Sequence, residues 1–281
     1  MALMPVTEVL SAVLAGAEPL PEEMVALDAA HHRVLARDVA ALRTQPPQPM
    51  SAMDGYAVRS ADAAAAAARL DVIGEVAAGR PFERAVGKGE AVRIFTGGVV
   101  PEGADAVIIQ EDTVVEDGGI TITEAAVAGR HIRPAGVDFR KGDVLLARGT
   151  RLTDRDLSLA AGMNYAELPV RRRPKVAVLA TGDELVMPGS APGPGQIVYS
   201  NGYALRALAR HEGAETIDLG VAADTVKATT LGIRRARDSG ADILITTGGA
   251  SVGDHDLVSN PWRPKVSPWR SGGSRCGRAS R

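Results

Sequence analysis

Three loops concentrate side chains that could do chemistry: TGDEL at 181–185, GVAAD at 220–224 and TTGGASVGDHD at 246–256. In the last, Gly248 and Gly249 carry no side chains, so backbone N–H groups can approach an anionic or planar ligand. Ser251 can donate a hydrogen bond to an anion, and Asp254 and Asp256 offer carboxylates suited to a hard cation such as Mg²⁺. Thr181, Gly182, Asp183 and Glu184 follow one apolar run, and Asp224 closes the loop after another. A lone glycine pair beside acids is an ordinary turn. The loops make a site only if one sheet edge gathers them.

A second set of polar residues stands earlier, in SAMDGYAV (51–58), RIFTG (93–97) and RPAGVDF (133–139). These place Asp54, Thr96 and Asp138 in turn-rich settings. Asp54 before Gly55 also reads as a structural turn, and Asp138 as an ordinary surface acid. The sequence holds no Cys/His cluster for zinc, no Walker A loop and no complete GxGxxG fingerprint.

The elements that must hold these loops follow from periodicity. Residues 5–16 read as a short amphipathic helix capped by Thr7, with Val9, Leu10, Val13 and Leu14 on one face. A second helix is expected from Leu27 to Val39, before the proline cluster at 44–49. Short apolar runs at 71–76, 91–95, 106–110, 120–122 and 144–146, separated by turn residues, predict a mostly antiparallel β region. The alanine run at 61–68 is a good local helix former, a surface helix or a lax linker. A further helix is expected at about 154–164, and Arg171–Arg173 read as a solvated linker. From Lys175 the pattern becomes that of a parallel βαβαβ unit: strands at 175–180, 216–220 and 241–247, helices at 201–212 and 225–239. Tyr203, Leu205 and Leu208 are expected near one face of the first of those helices. In such sheets ligands sit beyond the carboxyl ends of the strands, which is where the three loops fall.

Bulk properties narrow the function. Hydrophobic residues make up 45% and charged residues 23%, the balance of a soluble globular protein. The formal charge of −2 gives no global pull toward nucleic acid or anionic lipid. One cysteine, Cys276, cannot form an internal disulfide, which with no signal-peptide pattern and no membrane-length apolar run points to the cytoplasm.

In this order, SAMDGYA, RIFTG followed by VPEGADAV, TGDEL and TTGGASVGDHD resemble the MoeA and gephyrin E-domain family over roughly residues 5–260. The resemblance implies a multidomain α+β and α/β protein. A split first domain (1–46 and 142–172) would carry an inserted β-rich domain (47–141), followed by a molybdopterin-binding parallel α/β domain (173–260). It implies transfer of molybdate onto adenylylated molybdopterin, Mg²⁺-dependent, with release of AMP, in a homodimer whose active site is shared between subunits. Molybdopterin adenylyltransferase is an implied partner. On that pattern Glu184, Asp224 and Asp256 line the nucleotide and Mg²⁺ side, with Asp224 and Asp256 as metal ligands. Asp54, Thr96 and Asp138 face them across the dimer, and Thr181, Gly182, Asp183, Gly248, Gly249 and Ser251 touch the pterin substrate.

After Asn260 the family pattern stops, and residues 261–281 are basic and aperiodic. With GC-rich codons, one base restored after codon 260 yields a helix, a strand and an Arg-Pro-Gly-Lys-Pro loop of the family's oxyanion-site type. The expectation is a frameshift near residue 261, an incomplete third domain, a missing C-terminal β domain and no molybdate turnover by this chain. The same residues also suit a non-catalytic molybdopterin-binding or scaffold fragment.

Overall fold

The structure is a computed structural model that describes residues 5–76 and 79–248. The described residues form two compact units, one of residues 5–25, 32–36 and 169–248, the other of residues 26–31, 37–76 and 79–168.

In the second unit the alternating runs become a six-stranded sheet. Its order is Ala106–Ile109, Gly55–Val58, Glu90–Ile94, Arg69–Val76, Gly119–Ile122 and Thr113–Glu116. All neighbours are antiparallel except Arg69–Val76 and Glu90–Ile94, which run parallel. Successive side chains point to opposite faces, and both faces are covered. Tyr56, Val58, Ala91, Ile108 and Ile120 form one core, while Ala57, Val76, Val92, Ile94 and Val107 form the other. Each fully buried branched side chain of this kind contributes about 1.5–3 kcal/mol.

Chain entry to this sheet and exit from it run side by side. Ala40 pairs with Val144, Gln45 bridges Phe139, and Ser51 pairs with Ile132, all antiparallel. Beyond this ribbon lies the helix Asp154–Gly162. Thr153 accepts from the Asp156 N–H and Asp156 reaches back to Thr153, a reciprocal cap that fixes the helix start.

The first unit contains the α/β layer. Lys175–Thr181 is the central strand, with Glu215–Ala222 on one side and Ile243–Thr247 on the other, both parallel to it. Val176 and Val178 face the helix Asn201–His211 through Leu205 and Ala209. Ala177 and Leu179 face the helix Val226–Asp238 through Ala236. The continuous apolar run is thus explained by a strand covered on both faces. Gly232 lets that helix come close, since a Cβ there would stand 2.7 Å from Leu179 Cδ2.

Several local expectations fail for tertiary reasons. Leu27–Val39 is not a helix: only Leu27–Ala29 makes a 3₁₀ turn, and Val39 and Ala41 are buried with Ala40 between them half-exposed, a strand rhythm. Of the two readings of the alanine run, the surface helix is the one that does not form. Ala67 donates to Ile122 O at 2.8 Å and Ala63 O accepts from Ala126 at 2.8 Å, so backbone groups that a helix would use pair with neighbouring segments. The N-terminal helix Val6–Leu14 follows Pro5 and has no side-chain cap, Thr7 lying inside it, and Leu10 and Leu14 stay exposed.

On Asn201–His211 the buried side carries Gly202, Leu205 and Ala209, while Tyr203 and Leu208 are exposed. The arginine triplet is structural. Arg171 donates to Leu20 O and Ala36 O at 3.0 and 3.1 Å, and Arg172 forks onto Asp242 at 2.9 and 2.8 Å.

Candidate functional site

The three strands of the α/β layer end at Thr181, Ala222 and Thr247, so the loops that follow leave from one edge. Thr181 is buried there and its hydroxyl donates to Thr247 O at 3.4 Å. The Gly182 N–H donates to Ala222 O at 3.2 Å, tying the first loop to the second. One residue on, Asp183 Oδ1 accepts the Asp224 N–H at 3.1 Å. Asp183, Glu184 and Asp224 are all exposed.

Two glycines at this edge have steric reasons. A Cβ on Gly182 would stand 2.5 Å from Glu184 Oε2, so the missing side chain leaves the space the Glu184 carboxylate occupies. Gly248 has φ +88°, and a Cβ there would stand 2.4 Å from Thr181 O and 2.7 Å from Thr181 Oγ1. Only glycine lets the backbone at 248 come this close to the end of the first strand. The next helix begins here too, capped by Thr225, whose side chain accepts the Ala228 N–H at 3.2 Å. An edge of hydroxyl, bare backbone and three carboxylates can hold a polar ligand and a hard cation together. Among the described residues no group of three or more His, Cys, Asp or Glu side chains is arranged to hold a metal by itself.

The expected residues Thr181, Gly182, Asp183, Glu184, Asp224 and Gly248 are therefore together. Gly249, Ser251, Asp254, Asp256 and the segment 261–281 lie outside the described residues.

In the other unit, the Asp54–Thr96 pair assembles at one end of the six-stranded sheet. Asp54 Oδ1 accepts both the Thr96 N–H at 2.7 Å and the Thr96 hydroxyl at 2.8 Å. These two bonds, the backbone one first, hold the Asp54 carboxyl below its ordinary range, and the nearby Arg93 charge adds to them. The Asp54 loop is fixed by its neighbours: Ser51 O accepts from Gly97, Ser51 N–H donates to Gly98 O, and Ala52 N–H donates to His131 O.

Asp138 belongs to the ribbon's other leg, where its N–H donates to Gln45 O at 3.1 Å. Its carboxylate is engaged by Arg133 Nη2 at 2.9 and 3.2 Å. Sequence reasoning passed over Arg133, although its position five residues before Asp138 on a turn was the available signal.

The comparisons bear on the whole arrangement. Residues 4–163 match the family described as "MoeA N-terminal region (domain I and II)", and residues 177–263 match "Probable molybdopterin binding domain". A molybdopterin molybdenumtransferase of Haemophilus influenzae is 40% identical over 260 residues, 89% of this chain and 64% of that protein. Namesakes from Nostoc sp. and Bacillus subtilis are 40% and 39% identical, each over 84% of this chain and over 55% and 56% of their own length. The chain thus spans between about half and two thirds of the length of these relatives. A crystal structure of a molybdopterin biosynthesis MoeA protein from Pyrococcus horikoshii superposes with a TM-score of 0.82 at 35% identity, covering 92% of this chain and 66% of that one. On the matched regions, this likeness and the sheet-edge arrangement, the chain belongs to the MoeA family.

Proposed function

We propose that this chain serves molybdenum cofactor biosynthesis in the cytoplasm, acting on adenylylated molybdopterin with molybdate as the second substrate and AMP as a product. The observation that carries the reading is the joining of Thr181–Glu184, Asp224 and Gly248 at the carboxyl edge of the parallel sheet. That edge lies in the region matching the molybdopterin-binding family, and it is where open α/β sheets take their ligands.

In this reading the bare backbone at Gly182 and Gly248 admits the pterin and its phosphates, and Thr181 orients them. The donor set fits Mg²⁺, which keeps several waters and takes one or two carboxylates beside substrate phosphates. Asp224 would hold it together with Asp256, Asp183 fixing the Asp224 backbone. Bound there, the cation would offset phosphate charge as the adenylate bond breaks. Asp54 and Thr96 supply a carboxylate and a hydroxyl, and the Arg133 hydrogen bonds hold the Asp138 carboxylate in place, so both acids suit substrate contacts.

A homodimer sharing the site between subunits is part of the reading. The exposed stripe Val6, Leu10 and Leu14 supports a protein surface covering that helix. The assignment of a split first domain (1–46 and 142–172) around 47–141, followed by 173–260, is supported by the paired entry and exit segments. Molybdopterin adenylyltransferase is the proposed supplier of the adenylylated substrate.

The deciding experiment incubates the purified chain with adenylylated molybdopterin, Mg²⁺ and molybdate and measures AMP by chromatography, alongside binding of the same substrate by calorimetry. The reading expects binding that Asp224→Asn weakens. Molybdate-dependent AMP release identifies the enzyme, binding without release supports the scaffold alternative, and no binding at all refutes the reading.

A further inference from the structure

We propose that Arg93 is a positioning residue for the Asp54–Thr96 pair, a cross-strand brace that holds the Asp54 carboxylate in the place from which it meets substrate. The role rests on the reading of Asp54 as a site residue. Arg93 itself touches no reacting group.

Tyr56 stands opposite both Arg93 and Ile108 in adjacent strands, so the three side chains share one face of the sheet. With a side-chain period of two, Asp54, Phe95 and Gln110 fall on that same face one step further out. The apolar core of this face ends at Tyr56 and Ile108. What continues it is a guanidinium. Arg93 Cζ lies 4.9 Å from the Tyr56 ring centroid and 5.0 Å from that of Phe95, held between two aromatic rings. Its Nη2 donates to Gln110 Oε1 at 2.7 Å and its Nη1 reaches Gly55 O at 3.5 Å.

Each partner sits where a strand passes into a site loop. Gly55 and Tyr56 follow Asp54, Phe95 precedes Thr96, and the Gln110 N–H donates to Asp54 O at 3.1 Å. One rigid planar fork therefore ties together the three strand ends from which the Asp54–Thr96 bonds are built. Lysine, a point charge on a flexible stem, cannot stack and fork in this way. Asp54 Oδ1 takes both Thr96 donors, and no hydrogen bond to Oδ2 occurs among the described residues. Oδ2 is the atom left to face a ligand. Arg93 also adds its positive charge to the two Thr96 bonds that hold this carboxylate below its ordinary range.

The test is a titration that needs no turnover. The full chain is labelled with ¹³Cγ-aspartate, the Asp54 signal is assigned by its loss in Asp54→Asn, and its midpoint is followed in wild type, Arg93→Lys and Arg93→Met. The midpoint should rise in Arg93→Met, through loss of the charge and loosening of the Thr96 bonds, and rise less in Arg93→Lys, which keeps the charge. Thr96→Val sets the scale for losing the hydroxyl bond alone. Should Arg93→Met not fold, Arg93→Lys and Arg93→Gln decide. Where the chain turns over molybdate, kcat in Arg93→Met should fall about ten- to a hundredfold with KM for molybdate unchanged, as a small misplacement of a positioned group does. An Asp54 midpoint identical in wild type and the Arg93 variants overturns the proposal. A shifted midpoint together with full molybdate-dependent AMP release by Asp54→Asn sustains the brace and refutes the functional reading of Asp54.

Discussion

Gly248→Ala and Gly220→Ala form a matched pair that measures how closely the backbone at Gly248 approaches Thr181. Both glycines belong to the α/β unit and have similar positive φ, +88° and +76°. Their surroundings differ. A Cβ at 220 meets nothing within 4 Å, while one at 248 would stand 2.4 Å from the Thr181 carbonyl oxygen. Gly220→Ala should therefore cost only the left-handed penalty, about 1–2 kcal/mol. Gly248→Ala carries the same penalty and an overpacking cost of about 1–3 kcal/mol, because the obstructing atom is backbone and cannot rotate away. Urea unfolding followed by circular dichroism should separate the two midpoints by roughly half a molar or more, at a slope of about 2 kcal/mol per molar. Adenylylated molybdopterin binding should weaken in Gly248→Ala and persist in Gly220→Ala. If Gly248→Ala unfolds at or above the midpoint of Gly220→Ala, the close approach of Gly248 to Thr181 is refuted.

Other expectations rest on single contacts. The Arg172 fork, helped by the Lys175 N–H and opposed by burial, holds the Asp242 carboxyl below its ordinary value. A depressed folded pKa means the stabilisation is complete above the unfolded value, near pH 4, and fades as pH falls through the folded one. Asp242→Asn should cost about 1.5–3 kcal/mol at neutral pH and flatten the acid side of a stability–pH curve; curves with the same acid slope would contradict this. Tyr199 has a fully buried hydroxyl without a hydrogen-bond partner among the described residues, so Tyr199→Phe should be neutral or more stable by about 1 kcal/mol, and a clear loss in a melt would contradict this. Asp183→Ala removes an exposed side chain and should change stability by less than about 0.5 kcal/mol. It should nevertheless weaken adenylylated molybdopterin binding, because it frees the Asp224 backbone, and unchanged binding would count against the tie. Stripping Mg²⁺ with a chelator should weaken that binding in wild type far more than in Asp224→Asn.

The sequence made the α/β layer readable because two independent patterns agreed there. A continuous apolar strand at 175–180 and amphipathic helices ending at Gly213 and Gly240 allow one architecture, and acids placed just after each strand must share its carboxyl edge. Readings failed where a segment's partners are remote in sequence. Leu27–Val39 has the composition of a helix, yet Val39 and Ala40 pair with Val144–Leu146, more than a hundred residues on. The alanine run follows the same rule, since local propensity yields to hydrogen bonds from Ile122 and Ala126. Arg171 and Arg172 looked solvated because their acceptors, Leu20, Ala36 and Asp242, are invisible from the triplet itself. For the site, the motifs named Asp54 and Thr96 separately; that they are hydrogen-bonded to each other, and that Arg93 stands beside them, follows from strand register.

The ribbon at 39–51 and 132–146 has an engineering consequence. Because its rungs run Ala40–Val144, Gln45–Phe139 and Ser51–Ile132, the whole six-stranded sheet is a single excursion from two adjacent positions. Such a junction is a graft point. Residues 52–131 could be exchanged for another module whose termini lie one strand spacing apart, about 4.8 Å, without re-threading the rest of the unit. A two-residue Asn-Gly turn closing Ser51 onto Ile132 would be the smallest such graft. On the proposed reading it would separate chemistry that needs Asp54 and Thr96 from binding that needs only the α/β edge, a division that point substitutions can approach one side chain at a time.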